Sequence, residues 1–493
     1  METAIQTPDP PHDPPDDPAI LGRLRPRVHF TPRRGWMNDP NGLVWVDGCW
    51  HLFYQHNPHD VVWGDIHWGH AVSHDLVHWS HRPTALAPDP ELGIAASGCA
   101  VVDVDDTSGL GTPDGPAPVI ALFTHMPAAG PQVQSLAYSL DGGATFTELP
   151  ENPILTHPEV VDFRDPNVIW HGATARWIMV LAVGQQIWLY TSHDLRHWSF
   201  LQAFGEGLGA RGGVWECPDL FPLRVDGTGE ERWVLIVSVQ AGGPNQGSGM
   251  QYFVGTLGPE GFVADELDEP RWLDHGPDCY AGVTWYGAQG DRRVMVAWMS
   301  NWRYVQEVPS HGWRGAMTVP RELSLVSTAH GPRLAQRLPT EVLALAGEAR
   351  PLGTVVPDGA FLVRLTLHVG RELAPDPLDV VLENDGGEGV VLRVDLDAGR
   401  LVADRAGAVP GAALAEPFTL PLEPGLDGLA LEILVDVGSV EVRTADGLAS
   451  LTAQIHPRRP LDRVRIEAPP SIAVVGRVAP LITRGTVASG ALP

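Results

Sequence analysis

The sequence predicts an all-β protein, a five-bladed β-propeller followed by a C-terminal β-sandwich. Of its 493 residues, 54 are glycine and 46 are proline, a composition that suits many turns between short strands. Five strongly apolar runs recur roughly 55 to 70 residues apart, and each follows a turn and a shorter apolar run. One small antiparallel sheet cannot bury a core alone, but several sheets arranged radially can.

The five apolar runs are predicted to be the central strands of the blades, and the shorter runs before them the innermost strands. The central strands are expected at residues 50–56, 119–125, 177–183, 233–239 and 294–300. The innermost strands are expected at residues 43–46, 100–104, 168–170, 220–225 and 283–286. Because innermost strands surround the axis of a propeller, the residues just before them should meet at one end of the central channel.

The pattern changes near Glu348. Apolar or alternating segments then stand between Gly and Asp turns, which predicts a second all-β domain with strands at 361–369, 390–396, 429–435 and 439–443. We therefore expect the propeller at residues 21–335, a connection at 336–350 and the sandwich at 351–485. Residues 1–20, rich in Pro and Asp, and residues 486–493 are predicted to be disordered tails.

Composition excludes several classes of function. The formal net charge of −27 argues against nucleic acid and anionic membranes as partners and suits a protein that acts on neutral molecules. The sequence contains no lysine, which excludes Schiff-base and pyridoxal-phosphate chemistry. The four cysteines are widely spaced, so we expect free, mostly buried thiols rather than a metal site. No metal or cofactor is expected, and the oligomeric state is left open.

The first residues of the chain are relevant to the cellular compartment predicted for the protein. Residues 1–18 lack both the basic start and the apolar core of a signal peptide. No apolar run is long enough to suggest a membrane-spanning helix. The sequence as given therefore predicts a cytoplasmic protein, with secretion by another route left open.

Three short acidic motifs stand at matching places in three of the repeats. They are Asn38-Asp39-Pro40-Asn41, Arg164-Asp165-Pro166-Asn167 and Glu216-Cys217-Pro218-Asp219. Each one alone could be turn or ion-pair chemistry, but three in register favour a shared pocket. Two carboxyl groups that face one bond perform glycoside hydrolysis, in which one attacks the anomeric carbon and the other protonates the leaving oxygen. The motifs therefore predict an enzyme that cleaves sugars.

The two reacting carboxyl groups must differ in pKa, which requires different surroundings. The turn residues around Asp39 should keep it ionised, whereas the apolar neighbours Trp215 and Cys217 should raise the pKa of Glu216. Arg164 should keep Asp165 charged, so that Asp165 can bind sugar hydroxyls.

Other side chains are candidates for contact with a sugar. The sequence has 17 Trp against 7 Tyr, and indole faces stack on sugar rings. Most of these tryptophans should pack between blades, but Trp63 and Trp302 stand in loops and are candidates for the substrate site. Gln55 and Asn57 end the first central strand, where they could bind hydroxyls or simply cap the strand.

The motif-bearing segments resemble the signatures of glycoside hydrolase family 32, which holds invertases, levanases, inulinases and fructan exohydrolases. These segments are residues 36–42, 163–166 and 215–219, with support from residues 54–58 and 313–317. The resemblance covers roughly residues 28–485. It implies a five-bladed propeller followed by a β-sandwich, and retention at the fructosyl anomeric carbon. It implies no metal and no cofactor.

The resemblance also implies roles for individual residues. Asp39 resembles the nucleophile, Glu216 the acid/base, and Asp165 the transition-state stabiliser that binds the 3- and 4-hydroxyls of fructose. The implied fructose-binding shell consists of Asn38, Gln55, Trp63, Ser97, Arg164 and Trp302.

Three functions remain open at this point. The favoured one is a β-fructofuranosidase that releases terminal fructose from sucrose, fructo-oligosaccharides, or the fructans levan and inulin. A fructosyltransferase would use the same covalent intermediate, and a non-catalytic carbohydrate-binding propeller would not need an intact acid/base pair. The lack of a secretion signal favours sucrose or short oligosaccharides, whereas residues 301–304 and 309–310 resemble levanases and inulinases.

Overall fold

The computed structural model describes residues 25–265, 269–310, 312–369 and 376–483. Among these residues the regular structure is nearly all β, which confirms the predicted class: the helical elements are a four-residue α1 (Thr340–Leu343) and three 3-10 turns (Gln289–Asp291, Val305–Glu307 and Ala406–Ala408). None of these helices has the length and apolar character needed to cross a membrane. The tails predicted at 1–20 and 486–493 lie outside the described residues.

The described residues form 34 strands. The first 23 are β1 (Gly35–Val46), β2 (Cys49–Asn57), β3 (His67–Ser73), β4 (Ser80–Leu86), β5 (Ile94–Val102), β6 (Val119–Met126), β7 (Val133–Ser139), β8 (Thr147–Glu148), β9 (Leu155–Thr156), β10 (Arg164–His171), β11 (Arg176–Val183), β12 (Gln186–Ser192), β13 (Ser199–Phe204), β14 (Trp215–Asp226), β15 (Glu231–Val239), β16 (Gly249–Gly258), β17 (Gly261–Ala264), β18 (Arg271–Trp272), β19 (Tyr280–Thr284), β20 (Arg293–Trp298), β21 (Trp313–Arg314), β22 (Arg321–Thr328) and β23 (Gly331–Arg337). The others are β24 (Arg350–Pro351), β25 (Phe361–Val369), β26 (Leu378–Glu383), β27 (Gly389–Asp395), β28 (Arg400–Asp404), β29 (Phe418–Pro421), β30 (Gly428–Asp436), β31 (Ser439–Thr444), β32 (Ser450–Gln454), β33 (Arg463–Glu467) and β34 (Ile472–Pro480).

The five predicted central strands are confirmed as β2, β6, β11, β15 and β20. Each pairs antiparallel with the strand before it, namely β1, β5, β10, β14 and β19. These five first strands also pack against one another in a cycle, from β1 to β5, β10, β14, β19 and back to β1. The late strand β21 pairs in parallel with β1, so the end of this region is tied to its beginning.

Every one of the five first strands contains a register shift, which marks a β-bulge. The shifts lie between Met37 and Pro40, Ala95 and Gly98, Arg164 and Asn167, Glu216 and Asp219, and Tyr280 and Val283. A bulge bends its strand and redirects a side chain. The expectation that the acidic motifs precede these strands as turns is therefore wrong: the motifs lie within the strands, because a bulge accommodates Pro and residues with positive φ.

The C-terminal strands form two sheets that share one apolar core. A six-stranded sheet has the order β24-β34-β25-β30-β31-β32, and a five-stranded sheet has the order β29-β28-β27-β26-β33. Side chains such as Phe361, Val380, Leu392 and Ile433 are buried in the core formed by these sheets, as expected for a sandwich. The four strands predicted from the sequence are confirmed as β25, β27, β30 and β31.

Buried charges join the sandwich to the preceding region. Arg321 donates hydrogen bonds to Asp274 and to Glu441, both at 2.8 Å. The two ring nitrogens of His29 lie 2.8 Å from Asp436 and 3.0 Å from Glu441. We call His29, Asp274, Arg321, Asp436 and Glu441 the interface ion cluster.

Candidate active site

Asp39 lies at the bulge of β1, and its two carboxylate oxygens have different surroundings. The Ser97 hydroxyl donates to Oδ2 at 2.6 Å, and the Gln55 side-chain amide donates to the same oxygen at 3.1 Å. The other oxygen, Oδ1, is buried and accepts no hydrogen bond from the described residues. One oxygen therefore fixes the carboxylate, and the other is left to meet a reacting atom.

A chain of side-chain hydrogen bonds supports this carboxylate. The indole of Trp36 donates to the side-chain oxygen of Asn38 at 2.6 Å, and the Asn38 amide donates to Gln55 at 3.1 Å. Gln55 also donates to Ser97. Asn57 does not join this chain, because it caps the loop after β2 by accepting the backbone N–H of His59 at 3.0 Å.

Glu216 lies at the bulge of β14 between two donors. Arg164 donates to Oε1 through two nitrogens, at 3.0 and 3.3 Å, and the Tyr280 hydroxyl donates to Oε2. The expected apolar setting is wrong, because the indole of Trp215 packs in a different core cluster and bonds the backbone oxygen of Ala210. Sequence neighbours in a strand point to opposite faces, so the residues that contact Glu216 come from β10 and β19.

Cys217 links the carboxylates of Asp39 and Asp165. The backbone N–H of Cys217 donates to Asp165 Oδ2 at 3.0 Å. The Cys217 thiol lies 3.6 Å from the same oxygen and 3.7 Å from Asp39 Oδ2. Both residues have positive φ, 62° at Asp165 and 46° at Cys217, which follows from the bulges that turn them inward. The three acidic side chains named by the motifs thus share one site.

Burial changes the pKa of both aspartates in this site. Burial raises the pKa of Asp39 to about 6, although the hydrogen bond from Ser97 opposes the rise. Burial raises the pKa of Asp165 to about 7, against the lowering effect of Arg164 and with a further rise from the charge of Glu216. The sequence pointed to the turn groups around Asp39 and to Arg164 beside Asp165, but desolvation is the largest single effect on the pKa at both positions.

The two predicted tryptophans lie in different places. Trp302 stacks on Trp36 at 6.1 Å between ring centroids and lies 4.9 Å from the ring of Trp298. It belongs to an apolar cluster that includes Cys217 and Tyr280, so it borders the carboxylates. Trp63 lies in the β2–β3 loop and is 42% exposed, outside the hydrogen-bonded group.

Two functional residues were not proposed from the sequence. Tyr280 contacts Glu216, and Cys217 touches both aspartates. The signal for Tyr280 was present, since it occupies the position in the fifth repeat that matches the acidic motifs. All four cysteines are free, and three of them, Cys217 among them, are buried, as predicted.

Comparison with known proteins shows the family of this chain. The model for the glycosyl hydrolases family 32 N-terminal domain matches residues 29–337. The chain belongs to glycosyl hydrolase family 32. It is 40% identical to a levanase of Bacillus subtilis (strain 168), over 88% of this chain and 67% of the levanase. It is 34% identical to an extracellular exo-inulinase of Aspergillus awamori, over 88% of this chain and 89% of that protein.

A solved structure extends the likeness to the whole fold. The crystal structure of an exo-inulinase from Aspergillus awamori superposes with a TM-score of 0.86 at 31% identity, covering 93% of this chain and 98% of that one. The two regions are the β-propeller and the β-sandwich of this family, and the protein is a glycoside hydrolase.

The predicted cytoplasmic location is contradicted by these relatives. The Aspergillus awamori relative, which aligns with 88% of this chain, is named an extracellular exo-inulinase. A composition rich in Pro and Asp indicates that a segment is well solvated. It does not indicate the compartment in which the protein acts.

Proposed function

We propose that this family 32 enzyme is a retaining β-fructofuranosidase that releases terminal fructose from sucrose, fructo-oligosaccharides or fructans such as levan and inulin. The observation that carries the proposal is the state of Asp39 in a site that also holds Glu216: its Oδ2 is hydrogen-bonded, while its Oδ1 accepts no hydrogen bond from the described residues. The names of the relatives, a levanase and an exo-inulinase, support the substrate class. The acidic protein surface suits a neutral saccharide.

In the first step, Asp39 Oδ1 attacks the anomeric carbon of the terminal fructosyl unit. The bond from that carbon to the leaving oxygen breaks, and Glu216 in its protonated form gives its proton to that oxygen. The leaving sugar departs with the proton, and the fructosyl unit stays bound to Asp39 as an ester. Ser97 and Gln55 hold the second carboxylate oxygen during the attack.

In the second step, water replaces the leaving sugar. Glu216, now ionised, takes a proton from that water, whose oxygen attacks the anomeric carbon and releases Asp39. Two inversions give overall retention. Asp165 accepts hydrogen bonds from fructose hydroxyls and stabilises the positive charge of the transition state, while Arg164 positions Glu216 by its two hydrogen bonds.

We further propose that the propeller has five blades, each starting with one of the bulged strands. The cyclic packing of β1, β5, β10, β14 and β19 supports this arrangement. It puts the five bulges at one end of the channel, so that three blades supply one carboxyl group each. We assign residues 21–335 to the propeller and 351–485 to the sandwich, with 336–350 as the connection.

A product panel tests the function. The full-length protein is incubated with sucrose, inulin and levan, and the products are followed by chromatography and by NMR of newly released fructose. We expect fructose as the main product, released first as the β-anomer. Transfer products that dominate over free fructose at high sucrose would assign a fructosyltransferase instead. Binding of fructan without any fructose release would leave only a binding module.

A further inference from the structure

The loop between β2 and β3 carries three potential metal ligands that the reaction does not use. His59 and Asp65 lie in the loop, and His67 is the first residue of β3. One ligand atom from each residue lies within 4.8 Å of those from the other two. His59 and Asp65 are exposed, and His67 is half-buried, so the group opens to solvent.

The spacing within this group fits a small cation. His59 Nε2 lies 3.6 Å from Asp65 Oδ2. Two ligands bound at about 2.0–2.1 Å to a tetrahedral zinc ion stand about 3.4 Å apart. Both side chains are more than half exposed, so small rotations can close the remaining gap.

Hydrogen bonds fix the two ends of the loop. His67 Nδ1 lies 2.8 Å from the backbone oxygen of Asp65. Because a carbonyl oxygen only accepts, Nδ1 carries the proton and Nε2 keeps its lone pair, which is the arrangement typical of metal-bound histidines. At the other end, Asn57 accepts the backbone N–H of His59 at 3.0 Å and donates to the backbone oxygen of Val62 at 3.0 Å.

Asp65 adopts a φ of 46°, in the left-handed region that Asp occupies more often than most residues other than glycine. This backbone conformation accompanies the approach of the Asp65 carboxylate to His59.

We propose that His59, Asp65 and His67 bind one divalent transition-metal ion, with water completing its coordination. Two imidazoles and one carboxylate suit Zn²⁺, Ni²⁺ or Cu²⁺ better than Ca²⁺ or Mg²⁺, which prefer oxygen ligands. The ion cross-links the two ends of the loop that carries Trp63, and no step of the reaction passes through it.

Zinc binding to the full-length protein tests the site. Titration calorimetry with Zn²⁺ should show one ion bound with micromolar affinity. His59→Gln and Asp65→Asn should each weaken this binding by about tenfold or more. Both residues are exposed, so neither change threatens the fold.

His197→Gln is the matched control. His197 Nδ1 lies 2.7 Å from Asp194 in a pair of the same chemistry that has no third ligand among the residues that the structure describes. This variant should bind Zn²⁺ as the unsubstituted protein does. Hydrogen exchange of residues 58–66 should slow when Zn²⁺ is added to the unsubstituted protein, but not to the His59→Gln variant. The proposal is overturned if the unsubstituted protein binds no Zn²⁺ at millimolar metal, or if His59→Gln leaves affinity and exchange unchanged.

Discussion

Two groups of buried carboxylates in this protein lie in opposite electrostatic settings. In the active site, burial raises the pKa of Asp39 to about 6 and that of Asp165 to about 7. In the interface ion cluster, burial acts in the same direction, but Arg321 and His29 outweigh it and lower the pKa of Glu441 well below its usual range. At Asp436 burial is also the largest single effect, but the hydrogen bond and charge of His29 together with the backbone N–H groups of Arg27 and Val28 outweigh it and lower the pKa.

The difference lies in what faces each carboxylate. Glu441 accepts hydrogen bonds from Arg321 at 2.8 Å, from Arg443 at 2.9 Å and from His29 at 3.0 Å. Among the described residues, Asp39 accepts hydrogen bonds only from uncharged donors, all on one oxygen, and the charge of its neighbour Glu216 raises its pKa further. A buried carboxylate is stable and inert when its partners fully offset the cost of removing it from water. It stays available to react when they offset only part of that cost.

The largest effect is expected from substitutions that neutralise the two reacting carboxyl groups of the active site. Asp39→Asn and Glu216→Gln remove the attacking oxygen and the proton donor, so each should lower kcat by about 10⁴-fold or more. Initial rates of fructose release from sucrose and inulin measure this loss. Near-normal rates in either variant would remove that residue from the mechanism.

The same Asp39→Asn protein should be more stable than the unsubstituted enzyme. The pKa of Asp39 is higher in the fold than in the unfolded chain, so ionisation costs stability as the pH rises from about 4 through about 6. Removing the charge should therefore raise the free energy of unfolding at pH 7 by roughly 1–2 kcal/mol. Denaturant titration measures it, and a loss of stability would contradict the view that this carboxylate is under-compensated.

The interface ion cluster should respond in the opposite way. Glu441→Gln leaves Arg321 and His29 buried without their shared anion, and breaking such a group costs about 3–5 kcal/mol. Arg364→Gln is the control, because Arg364 is 55% exposed and pairs with Glu432 on the surface. That change should alter the free energy of unfolding by no more than about 0.5 kcal/mol. Equal losses of stability in Glu441→Gln and Arg364→Gln would show that burial does not determine the contribution of these ion pairs.

His29 gives the interface ion cluster a pH dependence. Burial alone would lower the pKa of His29, but hydrogen bonds to Asp436 and Glu441 raise it to about 9. The protonated form therefore stabilises the fold fully below about pH 6.5, and this contribution is lost as the pH rises through about 9.

The loss between pH 6.5 and 9 should amount to about 3 kcal/mol at most. The measurement is the difference in free energy of unfolding between the unsubstituted protein and His29→Gln, obtained from denaturant titrations at several pH values. Asp165 and other groups titrate in both proteins, so the difference isolates His29. Parallel curves would show that His29 gains no proton on folding.

The strands could be predicted from the sequence more accurately than the surroundings of the site residues. The runs that became β2, β6, β11, β15 and β20 were predictable because continuous apolar residues fit a strand buried on both faces. The bulges were not, because Asn-Asp-Pro and Arg-Asp-Pro serve turns and bulges equally well. The meeting of the three carboxylates in one site was predictable because the motifs stand at matching positions in the repeats.

The surroundings of each carboxylate depend on contacts that the local sequence does not reveal. The sequence favours an apolar setting for Glu216 between Trp215 and Cys217, yet its contacts are Arg164 and Tyr280, which come from the strands β10 and β19. Burial of Asp39, which sets the direction of its pKa shift, likewise depends on how the strands pack around it.

The smallest effects are expected from one substitution made twice, once in the active site and once at a second buried contact between the propeller and the sandwich. Tyr280→Phe removes a hydroxyl that donates to Glu216, and loss of one hydrogen bond to a carboxyl group should lower kcat by about tenfold with little change in stability. Tyr304→Phe removes a hydroxyl that donates to Asp278 at 2.6 Å, beside Arg405 of the sandwich. It should leave kcat unchanged and lower the free energy of unfolding by about 1–2 kcal/mol. Because the two changes remove the same atom, a loss of activity in both variants, or of stability in both, would mean that the two settings are not separate.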